Sequence, residues 1–335
     1  MGILRYFLAL LVLSSHYGLW SRSTDFNEGV TAVTVFIIVS GFVMTKLIKS
    51  HYKNISNLWS FYLDRLCRIL PLFIFYSAIT LVTLQISSLG LKDLSWTNYT
   101  TCSSEKITIN FFRIFDYLIP YDIEKCNLLP QSWSLALESI FYIAIPFIIL
   151  DIGIKTRNVI FFCSFVVFLY GFSGLISFDK FAYFSIPGTL FIFLIGVYLA
   201  SDELFIENSY IRFMPSILYS FFVGLFLISI LNANYYSGKY GHVKEVMLGL
   251  VAGIPILKFV IKLQKSNIEI ILGNLSYGIF LNHVLITYVF KDESYLSYYV
   301  LFEIMFISTA IAMLSYYFIE YPFIYWRHRL RANQR

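Results

Sequence analysis

The sequence predicts an all-α integral membrane protein, a bundle of about ten transmembrane helices with both termini cytoplasmic. Three observations carry that prediction. Of 335 residues, 58% are hydrophobic and only 13% are charged, with 34 Phe and 26 Tyr and a mean hydropathy of +0.72. Apolar runs long enough to cross a hydrocarbon core of roughly 30 Å recur along nearly the whole chain. Runs such as VVFLYGFSGLI and FFVGLFLISIL are apolar all round. The strands of a membrane barrel would alternate with a period of two, so helices that satisfy their own backbone in lipid are the answer.

In order, the first span is residues 3–20. It reads as an anchored helix and not as a cleaved signal, because no small-residue cleavage site follows and a second span, 29–48, comes almost at once. The third, 70–88, is preceded by FYLDRLCRILP, and the fourth, 132–150, holds SLALESIFYIAIPFIIL. Spans at 158–176, 184–201, 213–232, 245–263, 274–290 and 296–318 complete the bundle. Residues 1–335 thus read as one transmembrane domain with a long outer loop, 89–131, and a basic cytoplasmic tail, 319–335.

Loop charge sets the orientation, since Lys and Arg favour the cytoplasmic side. With the N-terminus inside, the cytoplasmic segments hold Lys46, Lys49, Arg65, Arg68, Lys258 and Arg327 among others, and the outer loops hold few cations. The net charge of +5 is this topological bias. No basic stripe argues for a nucleic-acid partner, and membrane lipid is the partner that the composition demands. No metal-ligand spacing or glycine-rich phosphate loop is present, so no metal is predicted. Cys102 and Cys126 share the outer loop, where an oxidising compartment would allow a disulfide.

Ionisable groups inside spans are costly and are functional candidates by default. His16, Glu138 and His283 are such groups. His16, some thirteen residues along an ascending helix, lies about 20 Å up, and Glu138, early in a descending one, falls in the same outer half. A carboxylate beside an imidazole raises its basicity, the arrangement that a general base needs. The plainer account of a bundle histidine is an interhelical hydrogen bond. Arg65 and Arg68, three apart, project to one face at the cytoplasmic surface. They read either as ordinary anchoring or as a bidentate phosphate clamp, with Asp64 as their structural partner. Ser40 and Gly41 fall mid-helix in the second span, and Tyr277, Gly278, Asn282 and His283 cluster in the ninth. For the two glycines, close helix packing is the simpler reading.

Taken in order, these stretches resemble the acyltransferase-3 family of membrane-bound O-acyltransferases, which includes bacterial O-antigen and capsule acetyltransferases. RYFLALLVLSSH places Arg5 and His16 as the family's first helix does. VFIIVSGF resembles its Phe-Phe-x-x-Ser-Gly-Phe motif, and RLCR followed by ILP its Arg-x-x-Arg motif. WSLALESIFY, LSYGIFLNH and FIEYPF are similar to three further family motifs, so the matches run from residue 5 to 323. Thr34 stands where many members have an aspartate, Ile37 where the second Phe is usual, and Phe280 where a Tyr is common.

The resemblance implies a multi-pass protein of the bacterial inner membrane that transfers an acyl group, usually acetyl from acetyl-CoA, to a carbohydrate hydroxyl on the outer side. A glycan or glycolipid would be the acceptor, and acyl-CoA the co-substrate. On that basis His16 is the expected general base, or a covalent acyl carrier, and Glu138 its partner. Arg65 and Arg68 would bind the CoA phosphates, and Arg5, Ser40, Tyr277 and His283 would line the donor or acceptor path. A transporter or flippase for a lipid-linked sugar, with His16 and Glu138 as a proton relay, is the reading from another class. The sequence is silent on the acceptor's identity and on oligomeric state.

Overall fold

The computed structural model describes residues 1–19, 26–86, 129, 131–201, 214–232, 241–263, 266–290 and 297–332. Every regular element among them is helical. In chain order these are α1 (Gly2–Tyr17), α2 (Glu28–His51), α3 (Leu58–Ile86), α4 (Ser132–Leu150), α5 (Ile154–Phe172) and α6 (Ile186–Ser201). They continue as α7 (Met214–Leu231), α8 (Val243–Ile261), α9 (Asn267–Phe290), α10 (Tyr298–Ser315) and α11 (Tyr321–Ala332). Each of the ten spans expected from hydropathy falls on one of these helices. Six segments are long and apolar enough to cross a membrane: Glu28–His51, Leu58–Thr83, Ser132–Leu150, Ile154–Phe172, Asn267–Thr287 and Tyr298–Arg327. Three shorter apolar helices accompany them, Gly2–Tyr17, Ile186–Ser201 and Ser216–Leu231. A belt of exposed apolar side chains, including Phe7, Ile74, Phe302, Phe306 and Phe318, is the surface that a lipid solvent favours.

Two boundaries differ from the hydropathy reading, and both bear on the site. Helix α3 begins at Leu58, twelve residues before the expected span, so Arg65 and Arg68 lie inside a helix and not ahead of one. Residues 319–335, read as a tail, contain α11, which packs back against α3. The proposed disulfide partners Cys102 and Cys126, and most of the 89–131 loop, fall outside the described residues.

The core is organised around α2, which packs against α1, α6 and α8. Asn27 caps its start, its Oδ1 accepting from Gly29 N at 3.0 Å and Val30 N at 3.3 Å. Close approach to α6 requires glycine on both sides: a Cβ at Gly41 would collide with the Phe193 carbonyl, and one at Gly196 with the Ile38 carbonyl. Gly41 is thus a packing residue, as the sequence suggested. Helix α1 sits between α2 and α9, and runs in the same direction as α9, with Gly2 against Gly273 at one end and His16 near His283 further along. Helix α9 is tied to α10 by Asn282, whose Nδ2 donates to Ser308 O at 3.0 Å and whose Oδ1 accepts from Ser308 Oγ at 2.5 Å.

Candidate functional site

A cavity of about 370 Å³ opens between α1, α2, α3, α4, α9 and α11, within the usual range of roughly 300–1,000 Å³ for small-molecule sites. Five cations line it: Arg5, Lys46, Arg65, Arg68 and Arg327. The arginines of α3 are held by buried carboxylates. Asp64, fully buried, accepts from Arg65 Nε at 3.0 Å and, through its other oxygen, from Arg327 Nε at 3.1 Å. Arg65 Nη2 also pairs with Asp64, and Arg68 pairs with Glu320. Glu320 ends a π-helical turn, Tyr316–Glu320, that joins α10 to α11. Such a turn shifts the helical register and is frequent at functional sites. Burying a guanidinium is tolerable only with a partner, so these pairs fix where the arginines stand. The Arg65 and Arg68 guanidinium groups also lie 6.0 Å from the Tyr142 ring centroid and 5.5 Å from that of Tyr277, respectively. Tyr277 in turn donates to the Ile69 carbonyl at 2.9 Å.

Glu138 belongs to this same cavity. Its Oε1 accepts from Ser40 Oγ at 2.7 Å and from the Tyr142 hydroxyl, one turn further along α4. His16 stands elsewhere. Its neighbour is His283, with ring centroids 5.0 Å apart. Among the described residues no hydrogen bond or ion pair joins His16 to Glu138. Helix registry gives the reason: Ser15 abuts Gly29, whereas Ser40, the partner of Glu138, lies eleven residues further down α2. At 1.5 Å per residue that is about 16 Å along the bundle. The two side chains therefore do not share the common depth inferred from hydropathy.

The two halves of the site meet at Phe280. Its side chain lines the cavity, and its ring centroid is 5.9 Å from that of His283. His16 is exposed and His283 fully buried. The structure thus brings Arg5, Ser40, Arg65, Arg68, Glu138 and Tyr277 together around the cavity and sets His16 and His283 together beyond it. Sequence reasoning missed Lys46, Tyr142, Glu320 and Arg327 as parts of the site. Tyr142 had two signals in the sequence, its place at the end of the WSLALESIFY stretch and its spacing of four from Glu138 on a helix.

The motif order anticipated in the sequence is matched by a family-wide comparison. The acyltransferase-3 family model, described as an acyltransferase domain, matches residues 1–324. This chain belongs to that family. A protein of Staphylococcus aureus (strain COL), named "Putative O-acetyltransferase", is 27% identical over 329 residues, covering 88% of this chain and 52% of its own length. A relative of the same name from strain MSSA476 matches to the same extent. An uncharacterised protein of Aquifex aeolicus (strain VF5) is 33% identical over 160 residues, 47% of this chain and 69% of that protein. This chain thus spans about half the length of the staphylococcal relatives. No solved structure matches it.

Proposed function

We propose that this protein transfers an acetyl group from cytoplasmic acetyl-CoA to a hydroxyl of a cell-surface carbohydrate at the outer side of the bacterial inner membrane. Family membership supports acyl transfer. The observation that carries the choice of donor is the cavity itself, lined by five cations and Glu138, with Asp64 and Glu320 pairing with three of the cations. The surplus of positive charge suits a polyanion such as the phosphates of coenzyme A, and a guanidinium has five N–H donors, more than one carboxylate takes up. With the phosphates at Arg65, Arg68, Arg327 and Arg5, the long pantetheine arm would run past Ser40 and Glu138 toward Phe280. The thioester would then reach the histidines.

In this reading His16 removes the proton of the acceptor hydroxyl as its oxygen bonds to the thioester carbonyl carbon. The carbon–sulfur bond breaks, and the departing thiolate takes the proton back from His16. Such base catalysis typically contributes about a hundred- to ten-thousandfold. Glu138 serves the donor path, held by Ser40 and Tyr142. A transporter that relays protons directly from His16 to Glu138 gains no support from two side chains with different partners.

The test is incubation of membranes containing the protein with acetyl-CoA labelled in the acetyl group. Label recovered covalently on extracted glycan is the expected result. Accumulation inside vesicles with no covalent product would overturn the enzyme reading in favour of transport.

A further inference from the structure

His283 carries a feature that the reaction as described does not use. Its Nδ1 lies 2.7 Å from the Phe280 carbonyl and 3.2 Å from the Ile279 carbonyl. Carbonyl oxygens only accept, so Nδ1 bears the proton, and the neutral ring presents a lone pair at Nε2. That nitrogen is buried and has no hydrogen-bond partner. A buried acceptor left unpaired is unfavourable and uncommon, and it asks for a donor. The ring next to it is that of His16, exposed where His283 is enclosed. At a centroid separation of 5.0 Å the two rings are close enough for a hydrogen bond of about 3 Å once the exposed His16 ring turns a nitrogen toward Nε2.

The geometry points to His283 as the positioning residue of His16. With the His16 ring so turned, Nε2 accepts its N–H and holds the opposite nitrogen of His16 as the lone pair that meets the acceptor hydroxyl. This rests on the proposed base role of His16 and gives to a neutral imidazole the task that the family resemblance implied for Glu138. During transfer the hydroxyl proton passes to the outward nitrogen of His16, and the resulting imidazolium keeps its second N–H on His283. The same proton then leaves with the thiolate. His283 stays neutral throughout, fixed from behind by two carbonyls of its own helix.

The experiment compares His283→Phe, which keeps a ring but removes the acceptor, with His283→Gln, which restores an acceptor oxygen at similar reach. Both are assayed in membranes with labelled acetyl-CoA, and protein amounts are measured alongside. The expected result is a kcat lower by about tenfold to a hundredfold in His283→Phe, with the KM for acetyl-CoA unchanged. Return of His283→Gln to within about fivefold of the native kcat is expected with it. Should the Phe variant fail to accumulate, His283→Leu takes its place in the comparison. The inference is overturned if His283→Phe stays within about twofold of native, or if Phe and Gln variants are equally slow, which is the signature of packing alone. His16→Ala is run in parallel: native activity there would sink the proposed function itself, whereas an inactive His16→Ala beside a fully active His283→Phe sinks only the relay.

Discussion

The arginine end of the site and the histidine end solve opposite problems. Around α3 every buried charge has been met by another: Asp64 serves Arg65 and Arg327, and Glu320 serves Arg68. Those pairs join α3 to the π-helical turn and to α11, so the same contacts that order the cations also close the bundle. At the histidine end the buried group is neutral, and one acceptor is left without a partner. Charged pairs give a rigid place to bind, because breaking one strands the other in low dielectric. A neutral pair leaves room for a proton to arrive and depart. On the proposed function, the contrast would separate holding the donor from moving the proton.

The largest effect should come from the histidine end. His16→Ala is expected to lower transfer by about a hundred- to ten-thousandfold while the protein still accumulates in membranes, because it deletes the proposed base. Product formed per unit of membrane protein is the measurement, and near-native transfer would erase the distinction between the ends. At the arginine end, Asp64→Ala should act on stability first. It leaves Arg65 and Arg327 without their shared carboxylate, a change of about 3–5 kcal/mol for a buried pair broken on one side. Thermal inactivation in detergent reads it, and an unchanged midpoint would show that the pairs are not what joins α11 to α3.

The smallest effect sharpens the comparison most. Glu138→Gln keeps shape and hydrogen bonding to Ser40 but removes the charge beside Tyr142. Its place in the cavity predicts a change of about tenfold in the KM for acetyl-CoA with kcat little altered. A loss of kcat like that of His16→Ala, with KM unchanged, would return Glu138 to the histidine end.

How much of this was legible beforehand depends on the range of the interaction. Glu138, His16 and His283 stood out because a few ionisable groups in long apolar runs are conspicuous, and Asp64 was legible as a partner because it adjoins Arg65. The pairing of those groups was not. Hydropathy gave His16 and Glu138 a common depth, yet α2 carries Ser40 and with it Glu138 well away from Gly29 and Ser15. Arg327 escaped notice for a related reason, and Glu320, though part of the FIEYPF stretch, was not read as a partner of Arg68. A basic stretch after the last span looks like anchoring, and only the fold shows α11 turning back to α3.

The sequence by itself determined that this is an all-α protein with membrane-spanning character, which residues are too polar for their surroundings, and, through motif order, the acyltransferase-3 family. Those properties depend on composition and on spacing within one helix, where the period of 3.6 residues makes neighbours predictable. The tertiary structure decided which helix lies beside which and in what register. It set His16 against His283, drew Glu138 to the arginines and brought α11 onto α3. The physical reason is that apolar faces are nearly interchangeable as partners in lipid. Registry is then settled by sparse, long-range features such as a glycine facing a carbonyl, a buried ion pair or a single side-chain hydrogen bond.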